Sequence, residues 1–265
     1  MSFSAQGLHA RSFKTWRTVS ALIMREMATT YGRSPGGYIW AILEPVGGLA
    51  IMTIAFSVML RSPALGTSFP LFYATGLLPF MMYSDVALKL GQSIRFSRQL
   101  LFYPAVTYAD AIVARFLLNT LTHLMVFYII MTGLMWFYDT RNILDYAAIL
   151  NALGMAMVVG LGVGTLNCFL LTRFGLWERI WAIVNRPMFL MSGIFFLYDN
   201  LPEPFRSYLW LNPLIHVTGE MRRGFYASYD ATYVSHTYVY GFGLTALCIG
   251  FIFLSRYHRV LLNNR

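Results

Sequence analysis

Residues 146–171 read YAAILNALGMAMVVGLGVGTLNCFLL and contain no charged side chain. A helix needs about 20 largely apolar residues to cross the hydrocarbon core of a bilayer. This stretch meets that length, and its composition suits burial in lipid. It therefore predicts a membrane-spanning helix, and it makes the bilayer the solvent that decides the fold.

The composition of the whole chain agrees with this prediction. Of the 265 residues, 57% are apolar and only 12% are charged, whereas soluble domains are typically about 45–50% apolar and roughly 25% charged. An aromatic content of 17% excludes a disordered chain. We predict an all-α membrane protein with a single transmembrane domain over residues 1–265. The formal net charge of +9 is then attributed to topology, and no nucleic-acid partner is expected.

Six windows are long and apolar enough to span the bilayer. A seventh apolar stretch, 208–217, is too short and contains Asn212-Pro213, so a re-entrant or interfacial element is predicted there. With both termini in the cytoplasm, most of the 20 basic residues fall on the cytoplasmic side, as the positive-inside rule requires. The six predicted spans cover residues 39–60, 69–90, 112–137, 146–171, 180–198 and 238–255.

Residues 8–32 precede the first span and are predicted to form an amphipathic helix. At about 100° per residue, Trp16, Ile23 and Met27 share one side and Arg25 falls on the other. This pattern suits a helix that lies in the cytoplasmic headgroup layer. A helix packed on a partner subunit is the open alternative. No signal-peptide pattern precedes it, so the first span is expected to direct insertion.

The sequence lacks the motifs of nucleotide and metal sites. A P-loop needs a Lys after Gly, but the only two lysines follow Phe13 and Leu88. His216 and Glu220 are four residues apart, but zinc sites usually have at least three protein ligands. No nucleotide, metal or other cofactor is therefore expected to bind to this chain.

Three motifs are more specific than span composition: RSPGGYIWAILEP at residues 33–45, SGIFF at 192–196 and NPLIHVTGEMRRGFY at 212–226. With the basic N-terminal helix, the six spans and the extended segment before the last span, they resemble the ABC-2 family of exporter permeases. Within that family the chain is most similar to the inner-membrane permeases of bacterial capsular polysaccharide export. The resemblance covers nearly the whole chain.

This resemblance implies a multi-pass protein of the bacterial inner membrane that forms a homodimer. Two copies of a separate ABC ATPase subunit would bind ATP and Mg. The implied cargo is a lipid-linked polysaccharide, and periplasmic and outer-membrane export proteins are expected as further partners. The same fold carrying O-antigen, teichoic acid or a small hydrophobic molecule is the open alternative. A membrane-embedded transferase is the second alternative, although His123 stands alone in the third span.

The loop between the second and third spans mixes apolar and basic residues and ends at Pro104. The resemblance implies that residues 93–104 form a coupling helix that docks on the ATPase. A short amphipathic helix with exposed aromatic side chains suits that role. The expected coupling residues are Ile94, Arg95, Phe96, Arg98, Leu101 and Phe102.

The segment 199–236 is expected on the external side. The resemblance implies that it dips into the outer leaflet as two short helices that form a gate. An ordinary surface loop with amphipathic helices is the alternative. The expected gate residues are Asn212, Pro213, His216, Glu220, Arg222 and Arg223.

Three charges within predicted spans need an explanation, because an unpaired charge in the membrane is costly. Glu44 has two open interpretations: it pairs with Arg33 or a basic residue of the next loop, or it reaches water near the start of its helix. Asp85 precedes Lys89 by four residues and is predicted to pair with it on one helix face. Arg186 is the third such charge.

Aromatic side chains are candidates for the lining of a polysaccharide path, because sugars stack on flat aromatic faces. Helix packing and interfacial belts are the default role of any one of them. The candidates are Tyr38, Trp40, Tyr73, Tyr83, Trp177 and Trp181. Arg33 and Arg98 are the candidates for holding the lipid phosphate at the cytoplasmic entrance.

Overall fold

The computed structural model describes residues 14–30, 36–37, 39–103, 106–138 and 143–263. These residues form ten α-helices and one 3-10 helix, Tyr198–Asn200, so the all-α prediction is confirmed for this part of the chain. The helices are α1 (Lys14–Thr30), α2 (Ile39–Met59), α3 (Phe69–Gly91), α4 (Ser93–Leu101), α5 (Tyr108–Phe137), α6 (Tyr146–Arg173), α7 (Trp177–Leu190), α8 (Phe205–Trp210), α9 (Pro213–Phe225) and α10 (His236–Asn263).

Five of the described helices are long and apolar enough to cross a membrane: α2, α3 together with α4, α5, α6 and α10. They coincide with five of the six predicted windows. The window 180–198 is not one helix, because α7 ends at Leu190 and turns follow. Gly193 in these turns has a φ of +79°, which glycine adopts without steric cost. At about 1.5 Å per residue, α7 measures only about 21 Å.

The helices α3 and α6 run side by side in the same direction. A Cβ atom on Gly160 would lie 3.1 Å from the Val86 side chain, and one on Gly164 would lie 2.7 Å from Leu90. The contacts therefore advance together along both helices. Small residues allow this close approach, which is a common packing device within membranes.

The helices α6 and α10 are also parallel. Gly154 lies against Tyr240, and Gly250 lies against Leu166 at the other end of the contact. Because α3, α6 and α10 all run in one direction, the chain must return to the starting end between α6 and α10. The segment from α7 to α9 makes this return.

The predicted re-entrant element corresponds to α9, which is enclosed by the bundle. Every residue of α9 except Arg223 is buried. Asn212 caps the helix by accepting a hydrogen bond from Leu214 N at 3.1 Å, and Pro213 occupies the first turn, where no N–H is needed. The last turn meets the start of α6, where Asp145 N donates to Gly224 O at 2.9 Å.

The predicted N-terminal helix is observed as α1, beside the start of α5. Val19 and Leu22 pack against Ala114. The predicted aromatic side faces away from the bundle, and Trp16 is 63% exposed. Ile23 on the same side is half-buried and packs against this cluster, so the contact with α5 covers part of the predicted apolar side and leaves Trp16 uncovered.

Candidate functional site

The helix α4 follows α3 directly after Gln92 and packs against α1 and α5; residues 93–103 are termed the α4 end. The Phe96 ring lies between two guanidinium groups, with its centroid 4.1 Å from Arg115 Cζ and 5.1 Å from Arg25 Cζ. Arg115 Nε lies 3.2 Å from the Glu26 carboxylate, and both side chains are only 5% exposed. Cation–π contacts and ion pairs gain strength when water is excluded. This ionic cluster therefore joins α1, α4 and α5.

Four of the predicted coupling residues lie wholly or partly inside the bundle. Ile94 is buried, and Phe96 is held in the ionic cluster. Arg98 and Leu101 are half-buried. The observed helix also ends at Leu101, before the predicted boundary at residue 104.

The outward surface of the α4 end includes an ion pair and two aromatic rings. Arg95 lies 2.8 Å from the Glu178 carboxylate and also donates to Leu171 O. Phe102 is 61% exposed, and Tyr103 is 64% exposed. Tyr103 is not among the predicted coupling residues, although its position between Phe102 and the loop proline is a sequence signal for exposure.

A cavity of about 690 Å³ opens between α3 and α7. The predicted path residue Trp181 lines it, and so does Arg186. Asn185 Nδ2 donates to Ser84 Oγ at 3.3 Å, whereas Asn185 Oδ1 is buried with no hydrogen-bond partner among the described residues. Polar groups on a largely apolar wall are typical of sites for small or amphipathic molecules.

Two predicted path residues belong to the helical core instead. Tyr73 and Tyr83 are each 1% exposed. The Tyr73 ring packs against Phe56 and Phe72 with centroid distances of 5.3 Å. Both rings are packed inside the bundle of described helices, because other helices surround this part of α3.

The remaining path candidates are scattered. Trp177 Nε1 donates to Asn167 Oδ1 at 2.9 Å, which fixes the start of α7 to the end of α6. Trp40 is 59% exposed on α2. Tyr38 and the entrance candidate Arg33 lie outside the described residues.

The predicted pairing of Asp85 with Lys89 is wrong. The Asp85 carboxylate lies 3.0 Å from His123 Nε2 on α5, so His123 is not alone either. No ion pair joins Asp85 to Lys89 in the described structure. Glu44 is exposed on α2, and it makes no ion pair with any described residue.

At the opposite end, termed the α9 end, Arg222 connects two of the sequence motifs. Its guanidinium donates to Ile194 O at 2.9 Å and to Phe196 O at 2.8 Å, and Cζ lies 4.2 Å from the Phe72 centroid. These carbonyl groups belong to the turns that follow α7, where helical hydrogen bonds are missing. Arg222 is 2% exposed and supplies the donors that such buried carbonyl groups need.

A third hydrogen bond joins the 212–226 motif to Met191, the residue just before the 192–196 motif. Asn212 Nδ2 donates to Met191 O at 3.0 Å while its Oδ1 caps α9. The two hydrogen bonds from Arg222 to Ile194 and Phe196 are termed the Arg222 clamp. Together with the Asn212 cap and Pro213, the clamp fixes the start of α9 and its position against the turns that follow α7.

The Glu220 carboxylate is fully buried and has polar neighbours on three elements. Arg223 lies 2.7 Å away, His236 Nε2 3.1 Å away and Asn151 Nδ2 3.3 Å away. This arrangement ties α9 to the starts of α6 and α10. The three contacts go to Oε1 and offset part of the cost of removing a carboxylate from water, whereas Oε2 is buried without a hydrogen-bond partner among the described residues.

His216 bridges two backbone groups and is not paired with Glu220. Its Nε2 lies 2.8 Å from Trp210 O, and its Nδ1 accepts from Ser235 N at 3.3 Å. Burial lowers the pKa of His216, which favours the neutral ring that this donor and acceptor pattern requires. Within the described residues, no cluster of three potential metal ligands occurs.

Comparison with known families defines the class of protein. Residues 17–226 match the family described as ABC-2 type transporter. The match covers most of the chain, so the chain belongs to the ABC-2 transporter family.

Three relatives cover almost the whole chain. The chain is 30% identical to the polysialic acid transport protein KpsM of Escherichia coli, over 88% of this chain and 90% of that protein. It is 27% identical to the capsule polysaccharide export inner-membrane protein CtrC of Neisseria meningitidis, over 92% of each. The same identity and coverage relate it to the capsule polysaccharide export inner-membrane protein BexB of Haemophilus influenzae.

These comparisons confirm the family predicted from the motifs. The chain is a multi-pass inner-membrane subunit of a transporter, and it is not an enzyme. In this family the ATPase is a separate subunit. The structure adds that the motifs at 192–196 and 212–226 contact each other directly.

Proposed function

We propose that this chain is the transmembrane subunit of an ATP-driven exporter that moves lipid-linked capsular polysaccharide across the bacterial inner membrane. The observation that carries the proposal is the similarity to capsule export permeases over about nine tenths of both chains. ATP and Mg are bound by two copies of a partner ATPase. Periplasmic and outer-membrane export proteins receive the polymer.

The proposal is tested by co-expressing the chain with a candidate ABC ATPase from the same bacterium. The two proteins should purify as a complex, and lipid-linked polysaccharide should stimulate ATP hydrolysis by that complex. Hydrolysis that responds equally to the lipid without its polymer would contradict the proposed cargo.

The proposed topology has six crossings with both termini in the cytoplasm. It is supported by the parallel directions of α6 and α10, which require one return crossing between them. The helix α7 and the turns that follow it supply this crossing, with Arg222 satisfying the carbonyl groups of the turns. The exposed Trp16 side of α1 lies in the cytoplasmic headgroup layer.

Cysteine labelling tests this topology. In a variant with Cys168→Ser and Cys248→Ser, Ile143→Cys is expected to react with an impermeant maleimide added outside, because Ile143 is 82% exposed at the α9 end. Gly175→Cys, in an open turn between α6 and α7, is expected to react only after the membrane is opened. The reverse pattern would contradict the proposed orientation.

The α4 end is proposed to dock on the ATPase. The exposed rings of Phe102 and Tyr103 are suited to fill a groove, because aromatic anchors dominate many interfaces. Phe102→Asp is expected to weaken ATPase binding about 30-fold or more, the effect of losing about 2 kcal/mol at an interface anchor. The quantity to measure is the amount of ATPase that copurifies.

Phe205→Asp is the matched control. Phe205 is 64% exposed like Phe102, but it lies on α8, which precedes α9 and is far along the chain from the α4 end. This variant should leave ATPase binding unchanged. Equal copurification by the two variants would contradict docking at the α4 end.

The homodimer and the external gate complete the proposal. The dimer is supported by the uncovered state of two helices: only Pro45 and Leu49 of α2 are buried, and no residue of α7 is.

The gate is α9 together with α8. Its closed position is held by the Arg222 clamp and the Glu220 contacts.

A further inference from the structure

Two opposite charges lie on the two uncovered helices. Glu44 is exposed on α2, and Arg186 is exposed on α7. Neither side chain makes an ion pair or hydrogen bond with any residue that the structure describes. Glu178 is the acidic residue that lines the same cavity as Arg186, and it is already paired with Arg95.

The two charges lie at similar depths in the bundle, as measured by the α3 residues that face them. On α7, Asn185 contacts Ser84 and the Phe189 ring lies 5.1 Å from the Phe80 ring, so Arg186 is level with about Tyr83. The helix runs antiparallel to α3, since its residue numbers rise as those of α3 fall.

The same reading applies to α2. A Cβ atom on Gly48 would lie 3.6 Å from the Leu77 side chain, and the rings of Phe56 and Tyr73 are 5.3 Å apart. Glu44 precedes Gly48 by about one turn of this antiparallel helix and is therefore level with about Met81. The two charges differ in depth by about 3 Å, which corresponds to two residues of helix.

Similar depth matters because of dimer symmetry. A two-fold axis perpendicular to the membrane keeps every residue at its own depth while it brings one surface against its copy. Charges within a membrane are usually paired with each other or face a polar cavity. Opposite charges at similar depths on two uncovered helices are therefore complementary across such an axis.

We propose that Glu44 of one copy pairs with Arg186 of a second copy, twice in each homodimer, where α2 of one copy meets α7 of the other. The pairing rests on the homodimer of the proposed function and is independent of its cargo. It explains two membrane charges that have no partner among the residues that the structure describes.

Crosslinking between tagged copies tests the geometry. With Cys168→Ser and Cys248→Ser in both, one copy carries Glu44→Cys and the other carries Arg186→Cys. Oxidation is expected to join the two tags. The control replaces the second copy by one with Val184→Cys, about 200° around α7 from Arg186, and it should give little product. Absence of the first product, or equal amounts of both, would overturn the proposed pairing.

A charge exchange tests the energetics. Glu44→Arg and Arg186→Glu alone are each expected to weaken dimerisation at least about tenfold, and the double variant should restore it. A native mass spectrum in detergent gives the dimer fraction. Failure of the double variant, with phospholipid copurifying only when Arg186 is present, would overturn the pairing and assign Arg186 to a lipid phosphate.

These outcomes are separate from failure of the proposed function. A wild-type chain that stays monomeric in its complex with the ATPase would refute the homodimer itself. A dimer that forms without the crosslink would refute only this pairing.

Discussion

Replacing Arg222 by Met is expected to lower the free energy of unfolding by about 3 kcal/mol and to abolish export. The substitution leaves the buried carbonyl groups of Ile194 and Phe196 without donors, and each such loss costs about 1–3 kcal/mol. The contact with Phe72 is lost as well. The substitution also removes a buried cation that has no acidic partner, and this gain in stability opposes the loss. The loss prevails, because the broken segment after α7 offers those carbonyl groups no other donor in the described structure.

The matched control for this variant is Arg206→Met. Arg206 lies 3.5 Å from Asp199 with 39% of its side chain exposed, so the change should cost less than about 1 kcal/mol. Thermal unfolding in detergent measures both variants. Equal shifts of the melting temperature would contradict the clamp, whereas loss of export with an unchanged melting temperature would assign Arg222 to the transport path.

Breaking the buried pair between Glu26 and Arg115 is expected to have the second large effect. Glu26→Gln and Arg115→Met should each cost about 3–5 kcal/mol, because each leaves one buried charge without its partner. The double variant should cost clearly less than the sum, since neither charge then remains. Thermal unfolding of all three variants gives the coupling free energy between the two residues.

The exposed pair at the same end provides the control. Glu178 is 60% exposed in its contact with Arg95, so Glu178→Gln should change the stability by less than about 1 kcal/mol. Additive effects of Glu26→Gln and Arg115→Met would contradict a buried pair. Because Arg115 also contacts Phe96, we expect the damaged variants to couple ATP hydrolysis poorly to export.

The spans were predictable because the bilayer imposes a simple rule of length and apolarity. The exception is α7. The window 180–198 is largely apolar, so its composition gives no sign that the helix ends at Leu190. Composition does not report the positive φ of Gly193 or the carbonyl groups that Arg222 satisfies from another helix. A break that is compensated from a distant part of the chain leaves little local signal.

Charge pairs were predicted poorly for a related reason. Spacing along one helix identified Asp85 and Lys89, but the bundle gives Asp85 a closer partner in His123 on α5. The contact of Glu26 with Arg115 also joins distant helices. Spacing rules describe the surface of a single helix, whereas these partners are set by how helices pack.

Aromatic side chains illustrate the same limit in the candidate site. The predicted coupling residue Phe102 is exposed, whereas the predicted path residue Tyr83 lies in the core. Both belong to apolar stretches with similar local composition. Which ring faces outward depends on the neighbours of each helix face, and a single sequence does not supply them.

The most direct test of the proposed function is to locate the polymer after the gene for this chain is deleted from its bacterium. The proposal predicts that lipid-linked capsular polysaccharide is still synthesised but stays inside the cell, and that a plasmid copy of the gene returns it to the surface. Surface polysaccharide in unchanged amount after the deletion would contradict the proposal.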